Sequence, residues 1–325
     1  MLRLLGEGGM ARVFAAEDTS VGRHVAIKAL LPEYSQHASI LERFMNEAKA
    51  MGRIQHPGVI DVFDVMMAPS GELCIIMELL GGQTLREQLW KQGPYAVPEA
   101  LPLMLQLADT LAAAHAHRIV HRDLKPENIF VVADALGTRL KVLDFGIAKV
   151  MDAQNVKTAT TAQMGTATYM APEQFRSAKL VDHRADIYAV GCLFFEMLTA
   201  KPPFGGRNLF EQMQAHLTQP IPLERLPPQL PPVVRDLIGR MLVKDREQRL
   251  GSLTDAVAVL AGGAAHAPGP VPLHTPAPQL HPPPQPRGGH GPTAAVPRAA
   301  DRSWIWALVA ILLVGVGVAL TIALT

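Results

Sequence analysis

"HRDLKPEN", His121–Asn128, is the stretch that decides how this chain is read. An aspartate that merely caps a turn leaves two neighbours of Asp123 unexplained: Lys125 two residues later and Asn128 five residues later. Working outward in both directions, further short strings fall in a fixed order. Downstream come "DFG" (Asp144–Gly146) and "APE" (Ala171–Glu173). Upstream, "VAIK" (Val25–Lys28) lies within a run, "HVAIKAL", whose alternation and β-branched residues predict a strand over His24–Leu30. Glu47 lies in "FMNEAKAM", within a helix that the spacing of Phe44, Ala48 and Met51 predicts over about Ile40–Ile54. First in the chain is "GEGGMARV" (Gly6–Val13), a glycine-rich loop of the kind that cradles phosphates, with Ala11 in place of the third glycine of G-x-G-x-x-G.

Composition narrows the class without naming it. Of 325 residues, 30 are basic and 29 acidic, so no polyelectrolyte field argues for nucleic acid. Cys74 and Cys192 are far apart, each inside an apolar run, and read as buried thiols rather than a disulfide. No charged segment followed by an apolar core and a small-residue cleavage site opens the chain, which argues against secretion.

Three textures divide the sequence. Residues 1–261 have globular composition: strand runs, including "LCIIMELL" (Leu73–Leu80), come first, with a lobe boundary near residue 80. Helices dominate from Thr84 onward, near Pro98–His117, Ala185–Thr199 and Pro232–Val243. That order predicts an α+β fold with a small β-rich lobe and a larger helical one. Residues 262–303 are dominated by Pro, Gly, Ala and His and predict an extended, disordered linker; its histidines (His266, His274, His281, His290) are irregularly spaced and read as solvated. Residues 304–325, "WIWALVAILLVGVGVALTIALT", carry no charge, and as a helix they would reach about 33 Å, enough to cross a bilayer. Arg298 and Arg302 precede this span, Trp304 and Trp306 suit the interface, and no basic residue follows. A single-pass tail anchor in the cell membrane, with the large domain cytoplasmic and no external domain, is the expectation. Gly315, Ala319 and Ala323 share a helix face and could pack against a second copy, the one hint of a homodimer.

The ordered strings resemble the protein kinase signature set, and the chain is similar to the eukaryotic-like Ser/Thr protein kinases of bacteria over about residues 1–260. The resemblance implies the bilobal kinase fold, ATP and Mg²⁺ as nucleotide and metal, and protein Ser/Thr hydroxyls as acceptors. Phosphoryl transfer is mostly positioning and charge neutralisation, which explains the residue types. By the family pattern Lys28 meets the α- and β-phosphates and pairs with Glu47, while Asp144 and Asn128 hold Mg²⁺. Asp123 is the catalytic base and Lys125 contacts the γ-phosphate. The loop Leu5, Gly6, Glu7, Gly8, Gly9, Met10 and Ala11 covers the phosphates. Val13 and Ala26 lie over the adenine, Met77 is the gatekeeper, and Glu78 through Leu80 form the hinge.

"LKPEN" marks Ser/Thr rather than tyrosine kinases, and Ile147 after "DFG" favours a threonine acceptor. Residues 147–170 form the activation segment. Arg122 could receive a phosphorylated residue of that segment, with Thr158, Thr160 and Thr161 as the candidates. Thr166 reads instead as a residue that positions substrate toward Asp123 and Lys125. Glu173 and Arg249 fit a buried ion pair, and Asp186 fits an anchor for the catalytic loop. Two rival readings follow from the same fold. A pseudokinase scaffold is disfavoured because Lys28, Asp123, Asn128 and Asp144 are all present, and a small-molecule kinase because "GTATYMAPEQ" matches a peptide-binding segment. With only Met1–Leu5 before Gly6, the first strand is expected to be short and weakly paired; Ala11 costs nothing if its φ is negative.

Overall fold

The computed structural model describes residues 3–134, 137–145, 167–176 and 181–264. The tail segment 304–325, the linker 265–303, Ile147, Thr158, Thr160, Thr161 and Thr166 lie outside the described residues. Among the described residues, no helix is long and apolar enough to cross a membrane.

The first lobe is a five-stranded antiparallel sheet in the order β1-β2-β3-β5-β4. Its strands are β1 (Arg3–Glu7), β2 (Ala11–Asp18), β3 (Arg23–Leu30), β4 (Val62–Met67) and β5 (Leu73–Glu78). β1 is five residues long and exposed throughout, and its pairing with β2 is broken by an irregularity between Leu4 and Gly6. β3 is central. Its register sets Lys28 opposite Val13 on one side and Ile75 on the other, with Ala26 between Ala15 and Met77. Helix α1 (Ala38–Arg53) turns Phe44, Glu47, Ala48 and Met51 inward, a three-to-four-residue repeat that lays one face on the sheet. Three of those four positions are apolar, as in an ordinary amphipathic helix; the glutamate needs a cation beneath it.

The second lobe is built around α5 (Arg184–Thr199). Every residue from Ala185 to Leu198 is buried, so this helix is enclosed on all sides and forms the centre of the lobe rather than its surface. It stops at Ala200, which caps it in the left-handed conformation (φ 54°). Around it pack α2 (Leu85–Gln92), α3 (Val97–Ala116), the short α4 (Pro172–Arg176), α6 (Leu209–Thr218), α7 (Pro232–Met241) and α8 (Leu253–Ala264). α2 opens with a capping box: the Thr84 hydroxyl accepts from the Glu87 N–H while the Glu87 carboxylate accepts from the Thr84 N–H.

The lobe is not purely helical. It carries a three-stranded sheet of β6 (Gln83–Thr84), β7 (Ile129–Asp134) and β8 (Gly137–Val142), of which β7 and β8 lie between the catalytic stretch and "DF". Its role is to bring Asn128, which immediately precedes β7, close to Asp144, two residues beyond β8. Both cysteines are buried and free, as their apolar surroundings imply.

The two lobes share one apolar cluster that runs from Ala26 and Met77 through Leu107 and Phe145 to Phe194 and Leu237. A second, smaller cluster (Ala11, Leu30, Phe44, Ala48, Leu73, Ile75) fastens α1 to the sheet.

Candidate active site

Asp123 is held by a frame that the sequence only partly announces. Arg122 has φ 64°, a left-handed conformation uncommon outside glycine, so something must offset the strain. Asp186, at the start of α5 and 1% exposed, does so: one carboxylate oxygen accepts from the His121 N–H and the other from the Arg122 N–H, each at 2.8 Å. His115 Nε2 lies 2.8 Å from the same carboxylate. Burial alone would raise the Asp186 carboxyl, but His115 and the loop amides outweigh it and hold the group below the ordinary carboxylate range. The anchor expected at Asp186 is therefore in place, with His115 as an unexpected third partner.

His121 is fully buried. The Asp123 N–H donates to its Nδ1 (3.3 Å), which assigns the ring proton to Nε2 and makes it the donor to the Leu143 carbonyl (3.1 Å). Burial keeps this imidazole neutral by lowering its pKa. The ring also stands 4.8 Å from that of Phe145, so one side chain ties the Asp123 loop to the strand that leads to Asp144.

Asn128 donates from its amide nitrogen to the Asp123 carbonyl oxygen (2.9 Å), which leaves its amide oxygen as the atom able to face a cation. Lys125 Nζ lies 3.5 Å from the Asp123 carboxylate. Asp123, Lys125 and Asn128 are thus gathered within one short loop, as the spacing required.

Lys28 reaches this loop's neighbourhood from the other lobe. Its Nζ lies 2.8 Å from Glu47 Oε1 and 2.8 Å from Asp144 Oδ1. Burial opposes its charge, yet the two carboxylates prevail and hold the ammonium above its ordinary pKa. The pair of carboxylates around one cation has a complementary effect. Glu47 is pushed up to about 7 by burial, against Lys28 and with the Asp144 charge adding to the shift. Asp144, at the cleft edge, ends below its ordinary value because Lys28 overrides its desolvation. Its backbone is strained (φ 30°).

The glycine loop joins β1 to β2. Leu5, Gly6 and Glu7 end the first strand, Gly8 N–H bonds the Ala11 carbonyl (2.8 Å), and Ala11 begins the second. Ala11 is not among the residues with positive φ, so alanine is tolerated there without strain. Beside Gly6 and Gly9 a Cβ would meet nothing within 4 Å, so the loop borders open space. Arg12 is exposed. It bonds Glu7 (3.1 Å), so the one carboxylate of the loop is already occupied. Met10 and Leu5 stay partly exposed. Val13, Ala26, Met77 and Leu80 meet in the interlobe apolar cluster, and Glu78 closes β5 beside them.

Mg²⁺ fits these donors in a particular way. Asp144 and Asn128 offer one carboxylate and one amide oxygen, hard ligands suited to that ion, but too few to hold it without water and nucleotide phosphates. No cluster of three or more His, Cys, Asp or Glu able to hold a metal occurs among the described residues.

Behind the cleft, the expected Glu173–Arg249 pair is present and bidentate (2.7 and 3.0 Å), with both side chains almost wholly buried. A second network, buried at Tyr169 and Glu196 and open to solvent at Arg86 and Glu127, had no herald in the motifs. Arg86 donates to Glu127 (2.9 Å), Glu196 (2.9 Å) and the Tyr169 hydroxyl (2.6 Å), and that hydroxyl donates to the other Glu196 oxygen (2.6 Å). It links α2, the catalytic loop, the stretch before "APE" and α5.

This arrangement, a glycine-rich loop between two strands, a strand lysine paired with a helix glutamate, and an Asp–Lys–Asn loop with a second aspartate beyond it, is the residue set that phosphoryl transfer from a nucleotide needs. A model of the protein kinase domain matches residues 1–259, and the chain belongs to that family. It is similar to the serine/threonine-protein kinase pkn2 of Myxococcus xanthus, 40% identical over 275 residues that cover 82% of this chain and 32% of the relative. PknA of Mycobacterium tuberculosis is 36% identical over 302 residues, 91% of this chain and 65% of the relative. Pkn1 of Myxococcus xanthus is 39% identical over 255 residues, 78% and 36% respectively. The chain therefore spans from about a third to just under two thirds of the length of these curated relatives.

Proposed function

We propose that the chain is an active Ser/Thr protein kinase that moves the γ-phosphoryl group of ATP to protein hydroxyls. The observation that carries this reading is the convergence of Lys28, Glu47, Asp144, Asn128 and Asp123 on one cleft, with the lysine already charged and paired across the lobes. A pseudokinase reading would need at least one of these groups lost or turned away. Lys28 holds the α- and β-phosphates, and Lys125 the γ-phosphate. Asp123 takes the proton of the acceptor hydroxyl as its oxygen attacks, the bond from γ-phosphorus to the bridging oxygen breaks, and ADP leaves. Mg²⁺, held through Asp144 and Asn128, supplies charge neutralisation on the phosphates when bound.

Activation by autophosphorylation belongs to the same reading. The Arg122 Nε is buried and has no hydrogen-bond partner among the described residues, which suits a cation awaiting an anionic group. A phosphothreonine on the activation segment supplies one, and threonine is the favoured acceptor. Incubated with ATP and Mg²⁺, the purified chain should carry phosphate on Thr158 or Thr160, with Thr161 the neighbouring site, when mapped by mass spectrometry. An active preparation with no phosphate on that trio would remove this part of the proposal.

Residues 304–325 tether the kinase to the cell membrane, with the catalytic domain on the cytoplasmic side; the support is the length, the absence of charge and the preceding arginines. A chain ended at residue 303 should appear in the soluble fraction while the full chain pellets with membranes. Equal partition of the two would oppose the tether.

A further inference from the structure

Between the lobes, away from the phosphates, a lysine outside every motif is bound to the segment that would face adenine. Lys141 lies on β8, in the second lobe. Its ammonium donates to Glu78 Oε1 at 2.5 Å and to the Val59 carbonyl at 3.1 Å, and stands 3.8 Å from an Asp61 carboxylate oxygen. Glu78 Oε1 accepts a second bond from the Asp61 N–H (2.9 Å), and the Glu78 N–H returns one to the Asp61 carbonyl (2.9 Å). Three pieces of chain meet here: the end of β5 at the hinge, the turn between α1 and β4, and β8.

Two of those pieces are already joined without Lys141. Val59 bridges Val142 in parallel, the Val142 N–H bonds the Gly58 carbonyl (2.7 Å), and the Ile60 N–H bonds the Val142 carbonyl (3.2 Å). The turn is thus an extension of the second lobe's small sheet. The hinge side chain is fixed to that extension through Glu78. Lys141 is 13% exposed and Glu78 22%, so the pair is sheltered from water and screening in a way that surface ion pairs are not.

We propose that Lys141 is a positioning residue for the nucleotide: by clamping Glu78 to the 59–61 turn, it holds the hinge main chain of residues 78–80 in the geometry that receives adenine. This rests on the reading of Glu78–Leu80 as the nucleotide hinge. The Lys141 ammonium is engaged by Glu78, Asp61 and the Val59 carbonyl, at the hinge rather than at the catalytic loop, so its loss should weaken nucleotide binding while sparing the transfer step.

The test uses the full-length chain, titrated with the fluorescent nucleotide mant-ATP and assayed at varied ATP. Lys141→Met should raise both the mant-ATP dissociation constant and the KM for ATP about tenfold, the size expected for a sheltered charged hydrogen bond, with kcat at saturating ATP within about threefold. Lys141→Arg should restore both to within about threefold. Adding Glu78→Gln to Lys141→Met should cost little more than Lys141→Met alone, because both remove one interaction. If the methionine variant does not fold, Lys141→Gln carries the same comparison. Unchanged affinity with wild-type binding intact, or a change in kcat alone, overturns the positioning role but not the kinase reading. Failure of the wild-type chain to bind mant-ATP overturns both.

Discussion

Replacing Asp123 with asparagine should lower kcat for phosphoryl transfer by about 10²–10⁴-fold, the range for loss of a positioned general base, with little change in affinity for ATP. The geometry makes this a clean substitution. The Asn128 amide bonds the main-chain carbonyl of residue 123, and the His121 ring bonds its N–H, so neither contact depends on the side chain. Asp186 continues to hold His121 and Arg122. The loop therefore keeps its shape and loses only the carboxylate. Steady-state kinetics with a basic protein acceptor, alongside a mant-ATP titration, separates the two quantities. Retention of more than a tenth of the wild-type kcat would mean that another group accepts the proton.

The second large effect falls on stability. Arg249→Met should destabilise the domain by about 3–5 kcal/mol, because it leaves the Glu173 carboxylate buried with its cation removed. Arg249 also donates to the main-chain carbonyls of Arg184, Val243 and Lys244, so α4, α5 and the loop before Leu250 lose a common tie. For a domain of this size the melting temperature should drop by about 10 °C. Neutralising the stranded acid in an Arg249→Met, Glu173→Gln double variant should recover part of that loss. Thermal melting that shows the double variant as weak as the sum of both singles would mean the pair is not the source of the penalty.

The chemistry of this site was legible because its groups are close in sequence or fixed by periodicity. Asp123, Lys125 and Asn128 share one loop. Lys28 and Glu47 follow from a strand and a helix whose apolar spacing is plain, and β3, β5, α1, α3, α5 and α7 fall within a few residues of where that spacing put them. What escaped depends on long-range register. β7 and β8 are short strands inside a helical lobe, and nothing local distinguishes "FVVADALGTRLKV" from a buried loop. Lys141 alternates with Leu140 and Val142 as any strand lysine does; only the pairing of the turn at Val59 with β8 brings it under Glu78. Arg86 and Tyr169 are 83 residues apart and meet because the fully buried α5 presents Glu196 between them. His115 was hidden for a similar reason. A histidine near the end of an apolar helix reads as packing until the fold sets its Nε2 against Asp186. The Arg12–Glu7 pair depends on register as well: β1 and β2 place the two opposite each other across the hairpin, where both side chains stay about half exposed.

The most direct measurement of the central claim is transfer of labelled γ-phosphate from ATP to a generic basic protein acceptor by the full-length chain, with Asp123→Asn as its control. The account predicts labelled acceptor with phosphate on threonine and serine for the wild-type chain and almost none for the variant, while both bind nucleotide alike. Nucleotide bound by both with no phosphoprotein formed by either would contradict it and leave a nucleotide-binding scaffold in its place.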